Sequence, residues 1–234
     1  MEMANDSTRS KRGNEIFEDR LLTQRSDLDR LFSKLLMIQW IAAIVVAVVY
    51  SPTGWANKQQ AMGAHLYLAI FVGGTLTLLP LAMTRLMAGA TATRHVMAAC
   101  QMLFSALFIH LSGGRIETHF HVFGSLAWLA FYLDWQILVT ATIVVAVEHM
   151  LRGIYIPESV YGIVHAGHWR FVEHALWVVF EDITLFMGCR SGLRNLREGS
   201  DRQAQLEALT ESEQNKSAAL ELAMIELQAA TRIA

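Results

Sequence analysis

Nine histidines, at positions 65, 95, 110, 119, 121, 149, 165, 168 and 174, are the residues in this chain best suited to chemistry. Neutral imidazole suits zinc, copper and iron, and a carboxylate completes a mixed site. Two acids stand directly before a histidine, giving the matched pairs Glu148–His149 and Glu173–His174. His119 and His121 form a His-x-His pair that follows His110 across the short segment LSGGRIET. The candidate metal ligands are therefore His110, His119, His121, Glu148, His149, Glu173 and His174. That set exceeds the four ligands of one tetrahedral ion, so it predicts either a dinuclear centre or one ion with an outer layer of hydrogen-bond partners. Residues i and i+2 of a helix point about 200° apart. Either His119 belongs to the loop or His119 and His121 serve different centres. The competing reading of any one of these residues, strongest for His65, His165 and His168, is a polar group at a membrane surface.

Two further acids, Glu181 and Asp182, interrupt the apolar run WVVFEDITLF. Glu181 lies two helical turns after His174, on the same side. It is a candidate relay, with Asp182, His95 and His65 as accessory positions. The alternative is a structural acid paired with Arg94, His95 or Gln101.

The elements that hold these residues follow from composition. Of 234 residues, 53% are hydrophobic and 17% charged, well below the roughly 25% charged of soluble domains. Between Leu35 and Thr84 the only charged residue is Lys58. Such a segment has no face for water, which predicts membrane-spanning helices. Six apolar stretches can be drawn: Leu31–Tyr50, His65–Ala88 with a helix-kinking Pro80, Arg94–Leu111, Thr118–Trp135, Gln136–Ile154 and Trp169–Arg190; only the Asp134–Trp135 corner separates the fourth from the fifth, which leaves a four- or five-span reading open there. The expected fold is an all-α membrane protein, a six-transmembrane-helix bundle continuing into a cytoplasmic helix or coiled coil. Its parts are an N-terminal segment 1–30, the bundle 31–192 and a linker helix 193–234.

Arginines and lysines at both ends (Arg20, Arg25, Arg30 and Lys34; Arg190, Arg194, Arg197 and Arg202) place both termini in the cytoplasm, in a bacterial inner membrane. On that topology every histidine but His95 falls at the outer face. Trp40, Trp55, Trp135 and Trp169 fall near interfaces, and Asp134 at a helix end. Net charge is −2, which points away from nucleic acid. Cys100 and Cys189, both in apolar stretches, are not a disulfide framework.

From residue 193 the texture becomes rich in Ala, Glu, Gln and Leu. Leu206, Leu209, Leu220 and Leu227 allow an apolar stripe, broken near Ser212–Lys216, along which two copies pair. The alternative is a solvated amphipathic tail. The stretches HLSGGRIETHFHVFGSLAWLAFYLDW (His110–Trp135), VEHMLRGIYIPESVYG (Val147–Gly162) and WRFVEHALWVVFED (Trp169–Asp182) resemble the N-terminal multi-span sensor region of bacterial hybrid histidine kinases and related receptors. ALELAMIELQAATR (Ala219–Arg232) resembles the helix leading into a kinase dimerisation domain. The resemblance covers residues 30–234 or so. It implies a sensory input module, not itself an enzyme, that acts as a homodimer through its bundle and its 193–234 helix, ahead of an output domain. The full-length protein is then expected to be a histidine kinase. The resemblance also favours the candidate ligands above, and Glu181, as the positions that matter. Two rivals remain open. One is a diiron-type membrane enzyme, although the usual HxxH boxes are missing. The other is a haem-binding module for gas sensing or electron transfer, with two of the histidines as axial ligands. A transporter is expected least, because no inverted repeat is visible.

Overall fold

The computed structural model describes residues 2–49, 58–163, 165, 167 and 169–233; Trp55 and His168 lie outside them. Among the described residues every regular element is helical. In chain order they are α1 (Glu2–Val49), α2 (Lys58–Tyr67), α3 (Gly73–Met87), α4 (Thr91–Leu111), α5 (Ile116–Leu129), α6 (Trp135–Tyr155), α7 (Glu158–Tyr161) and α8 (Arg170–Ile233). A π-helical turn, Leu68–Val72, joins α2 to α3, and a 3₁₀ turn, Ala130–Tyr132, follows α5. Two compact units result: Leu22–Gly192, and Met1–Leu21 with Leu193–Ala234.

Four helical segments are long and apolar enough to cross a membrane: Arg9–Val49, Gly63–Met87, Thr91–Leu111 and Trp135–Tyr155. The six-span expectation thus holds only as an all-helical chain with four such helices, and the two shortfalls have physical causes. α5 has 14 residues, about 21 Å at 1.5 Å per residue, short of a hydrocarbon core of about 30 Å. The apolar part of α8 carries Glu173, Glu181 and Asp182, too many acids for an ordinary span.

Within the Leu22–Gly192 unit α4 is central. Its apolar window is 72% buried, against 28–33% for the other three segments. It packs on α3, α5 and α6 through residues such as Met97, Phe104 and Ile109, all fully buried. The outward faces are apolar as well: Ile41, Phe71 and Ile143 are each more than half exposed. Lipid solvates such a surface and water does not.

One end of this unit is closed by a buried polar lock that sequence reading missed. Asp29 is fully buried. Its carboxylate accepts from Gly89 N–H at 2.6 Å and from the Tyr132 hydroxyl at 2.7 Å. Arg94 donates to Gly89 O at 2.6 Å and to Asp134 at 3.0 Å, and Arg25 stands 3.6 Å from Asp134. Asp134 also accepts from Gln136 N at 3.2 Å, capping α6. Gly89 has φ +80°, and a Cβ there would meet Ser26 Oγ at 2.6 Å. Only glycine makes this α3–α4 corner so close to α1.

Trp40 packs against the π-helical turn. It is half-buried, and its indole N–H donates to Ala69 O and Ile70 O at 3.1 and 3.2 Å, at the π-helical turn. A π turn breaks the i−4 pattern, leaving carbonyls to be satisfied from outside. Cys100 and Cys189 are buried and not bonded to each other.

In the second unit residues 9–21 of α1 lie along the start of the 193–234 segment. Arg12 pairs with Glu207 at 2.9 Å, Arg20 donates to Gln203, and the Arg197 guanidinium covers the Phe17 ring at 4.9 Å. The leucines of the expected stripe remain exposed, Leu206, Leu209, Leu220 and Leu227 among them. Glu213 and Lys216, which interrupt that stripe, pair with each other at 2.9 Å.

Candidate metal centre

Three of the predicted ligands meet. His119 at the start of α5, His149 late in α6 and His174 in the first turns of α8 form a triangle of imidazoles. Their ring centroids lie 5.6 Å (His119–His149), 5.3 Å (His119–His174) and 5.6 Å (His149–His174) apart. Each ring is held in the same way. Nδ1 faces the backbone carbonyl one turn earlier: Arg115 O at 2.9 Å for His119, Val145 O at 3.1 Å for His149 and Arg170 O at 3.2 Å for His174. A carbonyl oxygen can only accept, so each Nδ1 carries the proton and donates. The lone pair of each neutral ring is therefore on Nε2. His119 Nε2 is buried with no hydrogen-bond partner. A buried acceptor without a partner is costly unless something fills the place.

His149 is held twice. The Glu148 carboxylate lies 2.6 Å from its Nδ1 and also pairs with Arg152. Glu148, expected as a ligand, is thus turned toward its own histidine and an arginine. A carboxylate on the far nitrogen fixes the tautomer and makes the other nitrogen more basic. Glu173 is exposed at the edge of the cleft that the three rings share.

Three imidazoles on one tetrahedral ion, with metal–nitrogen bonds of about 2.0–2.1 Å, stand about 5 Å apart between centroids. The observed 5.3–5.6 Å is slightly wider. Among the described residues no group of three or more His, Cys, Asp or Glu is placed to hold a metal ion as it stands.

The other predicted residues go elsewhere. His121 is on the opposite side of α5, as the helical step requires. Its Nδ1 lies 2.8 Å from Ser105 Oγ and 3.3 Å from Ser125 Oγ, and its Nε2 lies 3.2 Å from Gln39 Nε2. Gln101 extends this network by donating to Ser125 at 2.9 Å. His110 does not join His119 and His121; its ring lies edge-on to His65, centroids 5.0 Å apart. His95 contacts Thr140 Oγ1 at 2.8 Å. Thr142 donates to Asp182. Glu181 pairs with none of Arg94, His95 or Gln101, and its Oε2 is buried without a hydrogen-bond partner.

The positioning role of the 157–162 loop could not be read from the sequence. Gly114 has φ +74°, and a Cβ there would fall within 3 Å of Glu158 O and Val160 C. The Gly-Gly turn after α4 is thus pressed backbone to backbone against this loop. The loop places the Tyr161 ring 5.3 Å from His174 and under the Arg170 guanidinium. Burial first of all keeps the Tyr161 phenol above its usual range, so its hydroxyl stays protonated. Gly153 makes room for it, since a Cβ there would meet the Tyr161 hydroxyl at 2.7 Å.

Comparison with protein families, characterised proteins and solved structures finds no match. The functional reading therefore rests on the residues themselves.

Proposed function

We propose that this chain is a membrane sensory input module of a bacterial receptor, built around one transition-metal ion held by His119, His149 and His174. The observation that carries the reading is the shared anchoring of three adjacent imidazoles, each with its Nδ1–H spent on its own helix and its Nε2 lone pair left for a ligand. Metal-bound histidines are typically held through the other nitrogen in this way. Glu148 orients His149, and Glu173 flanks the centre. α5 and the start of α8 complete a six-helix bundle in a bacterial inner membrane, with both termini cytoplasmic. His174 stands on the helix that continues to Ile233, so a change of ligation at the ion acts directly on that helix. Two copies pair along the exposed leucines of the 193–234 segment, ahead of an output domain. The arrangement favours a single ion over haem. Two imidazoles across one haem iron stand in line about 6 Å apart with the macrocycle between them, whereas the three rings here form a near-equilateral triangle. Iron, copper and zinc all accept three imidazoles.

The test is metal analysis by mass spectrometry, with an absorption spectrum, on protein purified without a histidine tag. One transition-metal ion per chain is expected. A Soret band would replace the reading with haem, and metal-free protein after purification in chelator-free buffer would refute it.

A further inference from the structure

The three imidazoles form one end of a cleft of about 630 Å³, within the 300–1,000 Å³ usual for small-molecule sites. Its other walls are apolar, among them Val122, Phe123, Val145, Phe171, Trp177 and Phe180. Trp177 and Phe180 are 65% and 64% exposed. On the membrane reading, the cleft opens sideways to lipid rather than to water.

We infer that the cleft takes a lipophilic carboxylate from the bilayer, its head on the fourth position of the ion and its chain along the apolar wall. The inference rests on the metal centre proposed above. A three-histidine ion keeps an open fourth position, as in the sites that bind exogenous ligands. Three neutral imidazoles leave the charge of a divalent ion uncompensated. The acids nearby do not remedy this. Glu148 is paired with Arg152. Glu173 is exposed at the edge of the cleft, and no hydrogen bond or ion pair ties it to any of the three rings. In a cleft of low polarity an uncompensated cation attracts an anion strongly. The apolar walls then select an anion with a hydrocarbon body over chloride or phosphate. Only a coordination bond forms, and no redox change is required.

Trp177 supplies the reporter. Zinc-loaded protein in detergent micelles is titrated with a brominated long-chain fatty acid and, separately, with its methyl ester, while tryptophan emission is followed and zinc content measured on the same samples. Saturable quenching by the acid, about tenfold tighter than by the ester and lost when zinc is removed, is expected. Ala175→Trp, which fills the cleft without changing an imidazole, should keep zinc and abolish the acid's advantage. His174→Ala should lose zinc and the advantage together. Protein that binds no zinc refutes the metal centre. Protein that binds zinc but treats acid and ester alike leaves the centre standing and overturns the carboxylate. Zinc-loaded protein that binds the acid only once Glu173→Gln is introduced also overturns it, because Glu173 then holds the fourth position. So does quenching prevented by self-association, seen as a dimer whose Trp177 emission is insensitive to the probe.

Discussion

Gly114→Ala tests the contact on which the centre's geometry depends. Gly114 has φ +74°, and its absent side chain leaves space for the backbone of residues 158–162. Two costs add. A residue with a Cβ in the left-handed region costs about 1–2 kcal/mol. Overlap with backbone atoms cannot be relieved by a rotamer change, so the loop must lift, at a further cost of about 1–3 kcal/mol. The sum is about 2–5 kcal/mol, or roughly 4–20 °C in Tm for a chain of this size. Gly124→Ala is the internal control. It lies ten positions on, within α5, with nothing within 4 Å of its Cβ. There alanine lowers backbone entropy in the unfolded chain and favours helix, a gain of about 0.5–1 kcal/mol. Thermal unfolding of both variants in detergent, followed by circular dichroism, should therefore move Tm in opposite directions. Equal shifts, or a Gly114→Ala variant as stable as the parent, would refute the packing of the Gly-Gly turn on the 157–162 loop and the placement of Tyr161 that depends on it.

The remaining predictions concern the centre and the polar lock. His119→Ala, His149→Ala and His174→Ala should each lower bound metal to trace levels in mass spectrometry, while His121→Ala and His95→Ala retain it; metal retained by all five variants would rule out the three-ring centre. Glu148→Gln should weaken zinc binding about 10–100-fold in competition with a chromophoric chelator, the usual effect of removing a partner of a metal-bound histidine. Acidification should release the metal as protons compete for the Nε2 lone pairs, which a proton-release measurement on zinc addition would detect. Tyr132→Phe should cost about 1.5–3 kcal/mol in denaturant unfolding, because it removes a hydrogen bond to the buried Asp29 carboxylate; an unchanged midpoint would show that Asp29 does not depend on the phenol.

Much of this protein was legible in one dimension. Helicity and apolar spans follow from composition and the near absence of charge between Leu35 and Thr84, because a backbone in lipid must satisfy its own hydrogen bonds. The divergence of His119 and His121 follows from the helical step of about 100° per residue. The candidate ligand set could be written from residue type and position alone. Which members of that set meet could not. His119, His149 and His174 come together because α5, α6 and α8 are each rotated to present one ring to a common point, and helix rotation is set by packing with no counterpart in local sequence. Packing also sent His110 to His65 and His121 into the Ser105–Gln39 network. The lock of Asp29, Gly89, Arg94, Tyr132 and Asp134 was invisible for the same reason. Its members are spread over more than a hundred residues, and nothing in their local spacing marks them. The sequence alone determined the helices and the stock of candidate ligands; the tertiary structure decided which three imidazoles share a cleft, because only the packed helices bring together side chains that are distant in sequence.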